Sequence, residues 1–211
     1  MKFGNPPATH LVRARTMRNS LVIVQQRTEK RYSEINAIEV WKSDETDMTA
    51  YYPKLKSGKS LKRIHPRIVL RKRDNRLISD FLNNMYLLPI VNKHVRTALV
   101  ETRVRNVEFY PVNIFNGAGK PIEHDYEFLN ILGRYPILDW GRCKWHWSVP
   151  DDPMSFKVLD EIILNDDVSP GENLYWMDEP HRLVAAGDLA ERFLAGEFSG
   201  VRTTRLLEFK E

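Results

Sequence analysis

The chain has 211 residues, of which 42% are hydrophobic and 28% are charged, as is normal for a soluble globular protein. The single Cys143 excludes an internal disulfide framework and a zinc site built from several cysteines. No run approaches the roughly 18 apolar residues that a membrane-spanning helix needs, and residues 1–20 lack the apolar core of a signal peptide. We therefore expect a cytoplasmic protein.

Charge is distributed unevenly along the chain. Residues 1–77 contain 18 Lys and Arg against 7 Asp and Glu, whereas the remainder contains 14 against 21. Such a split predicts that opposite charges face solvent or a partner on different surfaces. The basic part indicates nucleic acid, an anionic surface or an acidic protein as partner, or a solvated face without one. Residues 1–76 form a basic N-terminal part, either separate from or integral to one domain with residues 77–211.

Hydrophobic periodicity predicts the elements of the first 86 residues. The β-branched segment 20–26 predicts a strand. Residues 34–42 favour a short helix, although a strand over 37–41 also fits. The remaining predictions are an edge strand at 51–53, a mobile loop at 54–62, a strand and basic turn at 66–76, and a short helix at 77–86.

A strand–helix–strand pattern occurs twice, over residues 87–112 and 181–206. At a shift of 94 residues, apolar positions of the two copies coincide: Ile90 with Val184, Val95 with Leu189, Val100 with Leu194, Val104 with Phe198, and Val107 with Val201. Asn92 and Asp188 are the predicted helix starters. Two copies are too few for a solenoid, so we expect two related modules in one domain. Two unrelated units of an ordinary type are the alternative.

Further segments indicate additional strands. Residues 126–132 alternate in polarity and residues 135–140 are apolar. Strands are predicted at 107–114, 142–149, 158–164 and 173–176, with a loop at 116–121 and turns at 151–153 and 170–171. Because strands outnumber helices and the helices stand singly between them, we expect an α+β fold. Its sheet should be mixed and largely antiparallel, with a few flanking helices and two related strand–helix–strand units.

Groups typical of catalysis or metal binding are scattered. The six histidines lack the spacings that place two metal ligands on one helix. Cys143 and His146 would point to opposite faces of a strand, so they cannot form a nucleophile–base pair, and Cys143 is more typical of a packed core residue. Paired carboxylates distant in sequence stay open. We expect no enzymatic activity, no metal and no cofactor.

Two segments are candidate binding surfaces. The basic stretch 51–76, which contains two tyrosines, is typical of nucleic-acid contact, because cations neutralise phosphates and tyrosines stack on bases. Its candidate contacts are Arg71, Lys72, Arg73 and Arg76. The tryptophans at 140–147 either form a partner surface or fill the core. As an exposed surface, they would also suit a structural protein that self-associates through this strand.

Three segments carry a resemblance to a known family. They are PILDW at 136–140, LDEIILNDDVSPGENLYW at 159–176, and the closing module at 183–206 with Gly200, Val201 and Arg202. Through them residues 87–209 resemble the immunity proteins of bacterial polymorphic-toxin systems, the DUF1629 family. Thr203 stands where the family pattern has an aromatic residue, and residues 1–76 do not match.

The resemblance implies a cytosolic protein without catalytic residues that binds a cognate toxin, blocks its active site and protects the producing cell. A toxin that acts on nucleic acid has a basic site, so an acidic surface is expected to dock there. The candidate partner-binding residues are Asp151, Asp152, Asp166, Asp167, Glu172, Trp140, Arg142, Trp176, Asp178 and Glu179. The alternative is a nucleic-acid-binding accessory protein that uses the basic N-terminal part.

Overall fold

The computed structural model describes residues 21–26, 35–41, 55–63, 67–72, 79–82, 84, 87–150, 157–168, 170–178 and 182–206. Within these ranges it contains two large sheets, a two-stranded ribbon and two helices. The strands are β1 (Val22–Gln26), β2 (Ile35–Trp41), β3 (Arg67–Lys72), β4 (Phe81–Leu82), β5 (Ile90–Val91), β6 (Val107–Phe115), β7 (Glu127–Ile131), β8 (Arg134–Tyr135), β9 (Lys144–Trp147), β10 (Lys157–Glu161), β11 (Leu174–Met177), β12 (Leu183–Ala185) and β13 (Val201–Arg205). The helices are α1 (Lys93–Glu101) and α2 (Gly187–Leu194).

The sheets are mixed and largely antiparallel, which confirms the predicted α+β class. The first sheet has the order β2-β3-β6-β7-β5-β4, the second has the order β13-β1-β12-β11-β8, and β9 pairs with β10. Only β3 with β6 and β11 with β8 pair in parallel among these strands. Strands β1 and β3 come from the basic N-terminal part and pair with strands of the C-terminal part. Residues 1–76 therefore contribute to the same two sheets as residues 77–211.

The two sequence copies form the same arrangement of strands. In the first copy, β5 and β6 lie parallel on either side of β7, and in the second, β12 and β13 lie parallel on either side of β1. In each copy, equivalent residues of the two outer strands pair with residues that are three positions apart on the middle strand. In the first copy, Ile90 pairs with Phe128 and Val107 pairs with Ile131. In the second copy, Val184 pairs with Ile23 and Val201 pairs with Gln26. We call β4-β5-α1-β6-β7 module 1, and β11-β12-α2-β13 with β1 module 2. Their shared register is what related modules predict.

Each module places the turn that follows its helix on the first strand of the other module. Phe81 N in module 1 donates to Ser199 O at 3.1 Å. In the reverse direction, Asn106 Nδ2 donates to Leu174 O at 2.7 Å. Phe81 and Leu174 are the equivalent first residues of β4 and β11. Such reciprocal contacts are characteristic of two like units packed around an approximate two-fold axis.

Three apolar clusters hold these layers together. The central cluster contains residues of both sheets and both helices, among them Val22, Val24, Leu99 and Leu189. A second cluster lies on the other face of the first sheet, and the outer cluster lies on the other face of the second sheet and includes Ile23. Alternate residues of β1 therefore enter different clusters. This explains its continuous apolar run, which is typical of a strand covered on both faces.

Two predicted helices are strands instead. Residues 35–41 form β2 and pair with β3, so the alternative strand prediction for this segment is correct. Within the predicted helix at 77–86, the described residues Phe81 and Leu82 form β4 and pair with Val91 and Ile90, so the helix prediction is wrong there. In both segments, pairing with another strand overrides a helical spacing of apolar residues. The predicted edge strand at 51–53 and the turns at 73–76 and 151–153 lie outside the described residues.

Two local predictions also need correction. The loop at 54–62 is packed rather than mobile at its ends, since Leu55 and Leu61 are each only 1% exposed. Asp188 is not the cap of α2, whose N-cap is Ala186 without a side-chain bond. Asn92 is confirmed as the cap of α1, because its side chain accepts a hydrogen bond from Val95 N at 3.3 Å.

Both helices end in the same hydrogen-bonded cap. Beyond α1, Val104 N donates to Leu99 O at 2.9 Å and Arg103 has a φ of 57°. Beyond α2, Glu197 N donates to the Arg192 carbonyl at 3.2 Å and Gly196 has a φ of 74°. This cap requires one residue in the left-handed region, where glycine carries no steric penalty. Module 1 thus holds an arginine where module 2 has the preferred residue.

Arg103→Gly is expected to raise the free energy of unfolding by about 0.5–1 kcal/mol, because relief of left-handed strain exceeds the added entropy of the unfolded chain. Gly196→Arg should lower it by about 1 kcal/mol. A Cβ at Gly196 would meet no atom within 4 Å, so only backbone strain is added there. Urea denaturation checks both, and a loss of stability in Arg103→Gly would contradict the strain argument.

Candidate functional sites

Residues 157–168 pack against the second sheet, and residues 170–178 include its strand β11; the whole segment is rich in acids. Its apolar side chains, such as Leu159 and Ile162, enter the outer cluster together with Tyr175. Its charged residues are one lysine and six acids, namely Lys157 against Asp160, Glu161, Asp166, Asp167, Glu172 and Asp178. All six acids except the half-buried Glu172 are exposed. We call the described residues of this segment, with their excess of exposed acids, the acidic layer.

Some carboxylates of the acidic layer have basic side chains nearby. His146 Nδ1 lies 2.9 Å from Asp160 Oδ2, and Lys144 forms an ion pair with Glu161. The turn that holds Asp166 and Asp167 is shaped by Asn165, whose Oδ1 accepts a hydrogen bond from Asp167 N at 3.0 Å. This turn therefore presents two adjacent exposed carboxylates.

The aromatic and basic partner-binding candidates have different positions. Trp176 lies in the central cluster and is 6% exposed, so the structure places it in the core rather than on a surface. The strand β11 has apolar clusters on both faces, which the alternating pattern does not reveal. Trp140 is half-buried beside the outer cluster, and Arg142 is exposed with Nη1 3.7 Å from Asp139 Oδ2. Asp151, Asp152 and Glu179 lie outside the described residues.

The candidate nucleic-acid contacts are only partly described. Arg71 and Lys72 are the last residues of β3, which lies between β2 and β6 rather than at a sheet edge. Arg73 and Arg76 lie outside the described residues. The strand at 142–149 is confirmed as β9, where Trp145 and Trp147 are half-buried and stack edge to face at 5.1 Å between ring centroids. Cys143 is buried, as predicted.

Glu108 is a buried carboxylate that sequence reasoning missed. It accepts hydrogen bonds from Ser60 Oγ at 2.5 Å, Leu61 N at 3.0 Å, Tyr110 OH at 2.7 Å and Asn130 Nδ2 at 3.0 Å. Burial alone would raise the pKa of Glu108, but these four donors lower it to about 2. Glu108 therefore anchors loop 55–63 to β6 as an ion, and its lone pairs are occupied. The available signal was alternation along β6, which places Glu108 on the apolar face.

Asp80 joins the two modules through a second network. Its Oδ2 accepts from Ser199 N at 2.8 Å and Ser199 Oγ at 2.6 Å, and its Oδ1 accepts from Asn92 Nδ2 at 3.0 Å. Burial works to raise the pKa of Asp80, but bonds from Ser199, Asn92 and His94 hold it below its ordinary value. Ser199 Oγ thus bonds the carboxylate rather than His94 Nδ1, which lies 3.1 Å from Asp80 Oδ1. This arrangement lacks the nucleophile–base contact of a catalytic serine.

Three cations converge on one end of β11, and no sequence signal indicated them. Arg134 on β8 is the paired neighbour of Trp176, and Arg182 O accepts from Met177 N at 2.8 Å. Lys56 Nζ lies 5.9 Å from the centroid of the Trp176 ring. We call Lys56, Arg134 and Arg182 the cationic cluster.

The described residues include no group of three or more His, Cys, Asp or Glu placed to hold a metal ion. In the same part of the chain, neither helix has the length and apolar character that crossing a membrane requires. No protein-family model matches the chain, and no curated protein matches it. The resemblance to polymorphic-toxin immunity proteins therefore stays a prediction.

Proposed function

We propose that this protein binds a cognate bacterial toxin through the acidic layer and neutralises it in the cytoplasm of the producing cell. The observation that supports the proposal most directly is the excess of acids on this layer, six against one lysine over residues 157–178. The resemblance to the DUF1629 immunity proteins, seen in the sequence, points the same way. The toxin expected from this charge has a basic active site, as enzymes acting on nucleic acid do.

The backing of the acidic layer suits it to tight binding. Ile162 and Leu159 are buried against the second sheet, and the bridge between Leu138 and Leu164 holds the segment to the chain preceding β9. Carboxylates on a packed segment lose little freedom when a partner binds, which reduces the entropic cost of association. Complementary charge also speeds the encounter and sets its salt dependence.

Elsewhere among the described residues, the carboxylates of Glu108 and Asp80 form hydrogen-bond networks within the protein. Glu108 is saturated by four donors inside the first sheet's cluster, and Asp80 bridges the modules. Neither presents a lone pair to a substrate in this arrangement. Their strong hydrogen bonds stabilise the scaffold, and the acidic layer carries the exposed charge. A binding role accounts for this division with fewer assumptions than catalysis.

The double variant Asp166→Lys/Asp167→Lys is expected to lower affinity for the cognate toxin by about tenfold or more, mostly through slower association at low salt. The double variant Glu123→Lys/Glu191→Lys makes the same change in net charge at exposed sites elsewhere and should leave affinity nearly unchanged. The toxin candidate is the polypeptide encoded beside this gene. Titration calorimetry measures affinity, and growth of cells that express the candidate with each variant measures protection.

Two results would overturn the proposal. One is equal affinity of the wild type and both double variants. The other is an adjacent polypeptide that is toxic alone and stays toxic when the wild-type protein is co-expressed. Retention of nucleic acid, and of no protein after nuclease treatment, would instead favour the alternative role of the basic N-terminal part.

A further inference from the structure

Loop 55–63 is rich in lysine, yet it is held against the first sheet at several points. Its apolar residues Leu55 and Leu61 are each 1% exposed and belong to the second apolar cluster. Its backbone is bound as well, because Lys59 O accepts from Asn130 Nδ2 at 3.0 Å and Leu61 N donates to Glu108 Oε2 at 3.0 Å. The loop therefore presents its polar side chains to solvent from a fixed backbone.

The segment that follows α1 lies beside this loop. Leu132 N donates to Asn106 O at 2.7 Å, and Gly133 N donates to Gly58 O at 2.9 Å. Leu132 and Gly133 are consecutive, so their Cα atoms are about 3.8 Å apart. Loop 55–63 and segment 102–106 therefore flank the same end of β7.

Four exposed cations belong to these two segments. They are Lys59, Arg63, Arg103 and Arg105, which we call the basic surface. None of the four forms an ion pair with another described residue. Lys62 on the same loop is different, since its Nζ lies 4.0 Å from Glu108 Oε1. Of the acids beside segment 102–106, Glu101 pairs with Arg192 and Glu172 is half-buried.

We propose that the basic surface binds the phosphodiester backbone of a nucleic acid without reading its base sequence. Lysine and arginine side chains neutralise phosphates and release condensed counterions, which supplies essentially all of the free energy of non-specific binding. Each strand carries one charge per about 3.4 Å of duplex axis, so cations on two neighbouring segments can contact successive phosphates. Arg103 and Arg105 lie outside the basic N-terminal part, so its charge alone did not predict this surface.

The composition of the surface favours nucleic acid over an acidic protein as the ligand. The apolar side chains of loop 55–63 are buried, and neither this loop nor segment 102–106 contains an aromatic residue. Protein interfaces typically have an apolar core with aromatic anchors, whereas phosphate contacts use lysine, arginine and serine side chains and backbone N–H groups. Without an aromatic side chain to stack on bases, binding here depends on charge and therefore on salt.

The residues of the basic surface do not belong to the acidic layer, so the test does not depend on toxin binding. Fluorescence anisotropy of the full chain with a short labelled DNA duplex and a short labelled single strand, over a series of salt concentrations, measures affinity. We expect saturable binding whose association constant falls linearly with salt concentration on logarithmic axes. The more tightly bound of the two probes identifies the form of nucleic acid that the surface prefers.

The double variant Lys59→Gln/Arg63→Gln should weaken binding by about tenfold or more and make the salt slope shallower by about 1–2, because each lost phosphate contact contributes about 0.7–0.9 to it. Arg105→Gln should make the slope shallower by about 1. Both changes remove exposed side chains, and circular dichroism establishes that each variant is folded before titration.

The double variant Lys93→Gln/Lys120→Gln is the matched control. Both lysines are exposed, and they lie towards the other end of β6 and β7: Lys93 N donates to Asp125 Oδ2 at 3.4 Å, and Lys120 N donates to Asn116 Oδ1 at 2.9 Å. This variant removes the same net charge and should leave affinity within about twofold of the wild type.

Three results would overturn the proposal. The first is absence of saturable binding by the wild type at low salt. The second is an equal loss of affinity in the control and in Lys59→Gln/Arg63→Gln, since net charge alone would then account for binding. The third is displacement of the bound DNA by polyglutamate as readily as by unlabelled DNA at equal charge, which would make an acidic polypeptide an equally good ligand.

Discussion

Gly200→Ala is expected to reduce the free energy of unfolding by about 3 kcal/mol or more, because the added methyl group meets both backbone strain and steric overlap. Gly200 has a φ of 82°, which already penalises alanine. A Cβ at this position would lie 2.1 Å from Phe81 O and 2.9 Å from Ser79 Cβ. Because the first of these is a backbone atom, no rotation of a side chain relieves the overlap.

The expected damage extends to the contact between the modules. Gly200 follows Ser199, whose O accepts from Phe81 N and whose Oγ bonds Asp80. An added methyl group must push this turn away from β4, so these hydrogen bonds lengthen as well. Gly196→Ala is the control, because Gly196 also has positive φ but has open space around its Cβ position. Denaturation midpoints of the two variants separate overlap from backbone strain, and equal losses would contradict close docking of the turn.

Glu108→Gln should remove a pH-dependent contribution of about 3 kcal/mol to stability. The pKa of Glu108 is lowered from 4.5 to about 2, so the native state favours its ionised form. This contribution is fully present above about pH 4.5 and is lost as the pH falls through the interval down to about 2. The amide of glutamine also directs an NH₂ group towards four donors, which leaves some of them unpaired in a buried site.

Urea denaturation of the wild type and Glu108→Gln at a series of pH values measures this contribution. The difference between their stabilities should be largest near neutral pH and should shrink below about pH 4.5. Glu123→Gln is the control, because Glu123 is exposed and should alter the profile little. A constant difference between wild type and Glu108→Gln at all pH values would show that folding does not lower the pKa of Glu108.

Several elements were predictable because they depend on neighbours in sequence. Asn92 caps α1 by bonding a backbone N–H three residues later, an interaction that the residue type and spacing alone suggest. The alternation of 142–149 predicted β9 in the same way. Self-similarity between the two copies predicted the modules, because equivalent residues occupy equivalent strands. The clustering of acids at 160–178 predicted that these side chains would be exposed. The burial of Trp176 in the same segment was not predicted.

The errors share a different cause. The segments at 34–42 and 77–86 have helical spacing, yet β3 and β5 provide backbone partners that a local pattern does not contain. Lys56 was assigned to a mobile loop because lysine, serine and glycine are common in such loops. Its position over Trp176 arises from contacts between residues far apart in the chain.

The sequence by itself determined the α+β class, the two modules and the uneven charge, because periodicity, capping and repetition are encoded in consecutive residues. Only the tertiary structure decided which strand completes each module. In module 1 it is β7, which follows β6, whereas in module 2 it is β1, which comes from the opposite end of the chain. Tertiary structure also brought Glu108 to loop 55–63 and assembled the cationic cluster. Each of these contacts joins residues distant in sequence, and their stability depends on burial and pairing that only the folded chain creates.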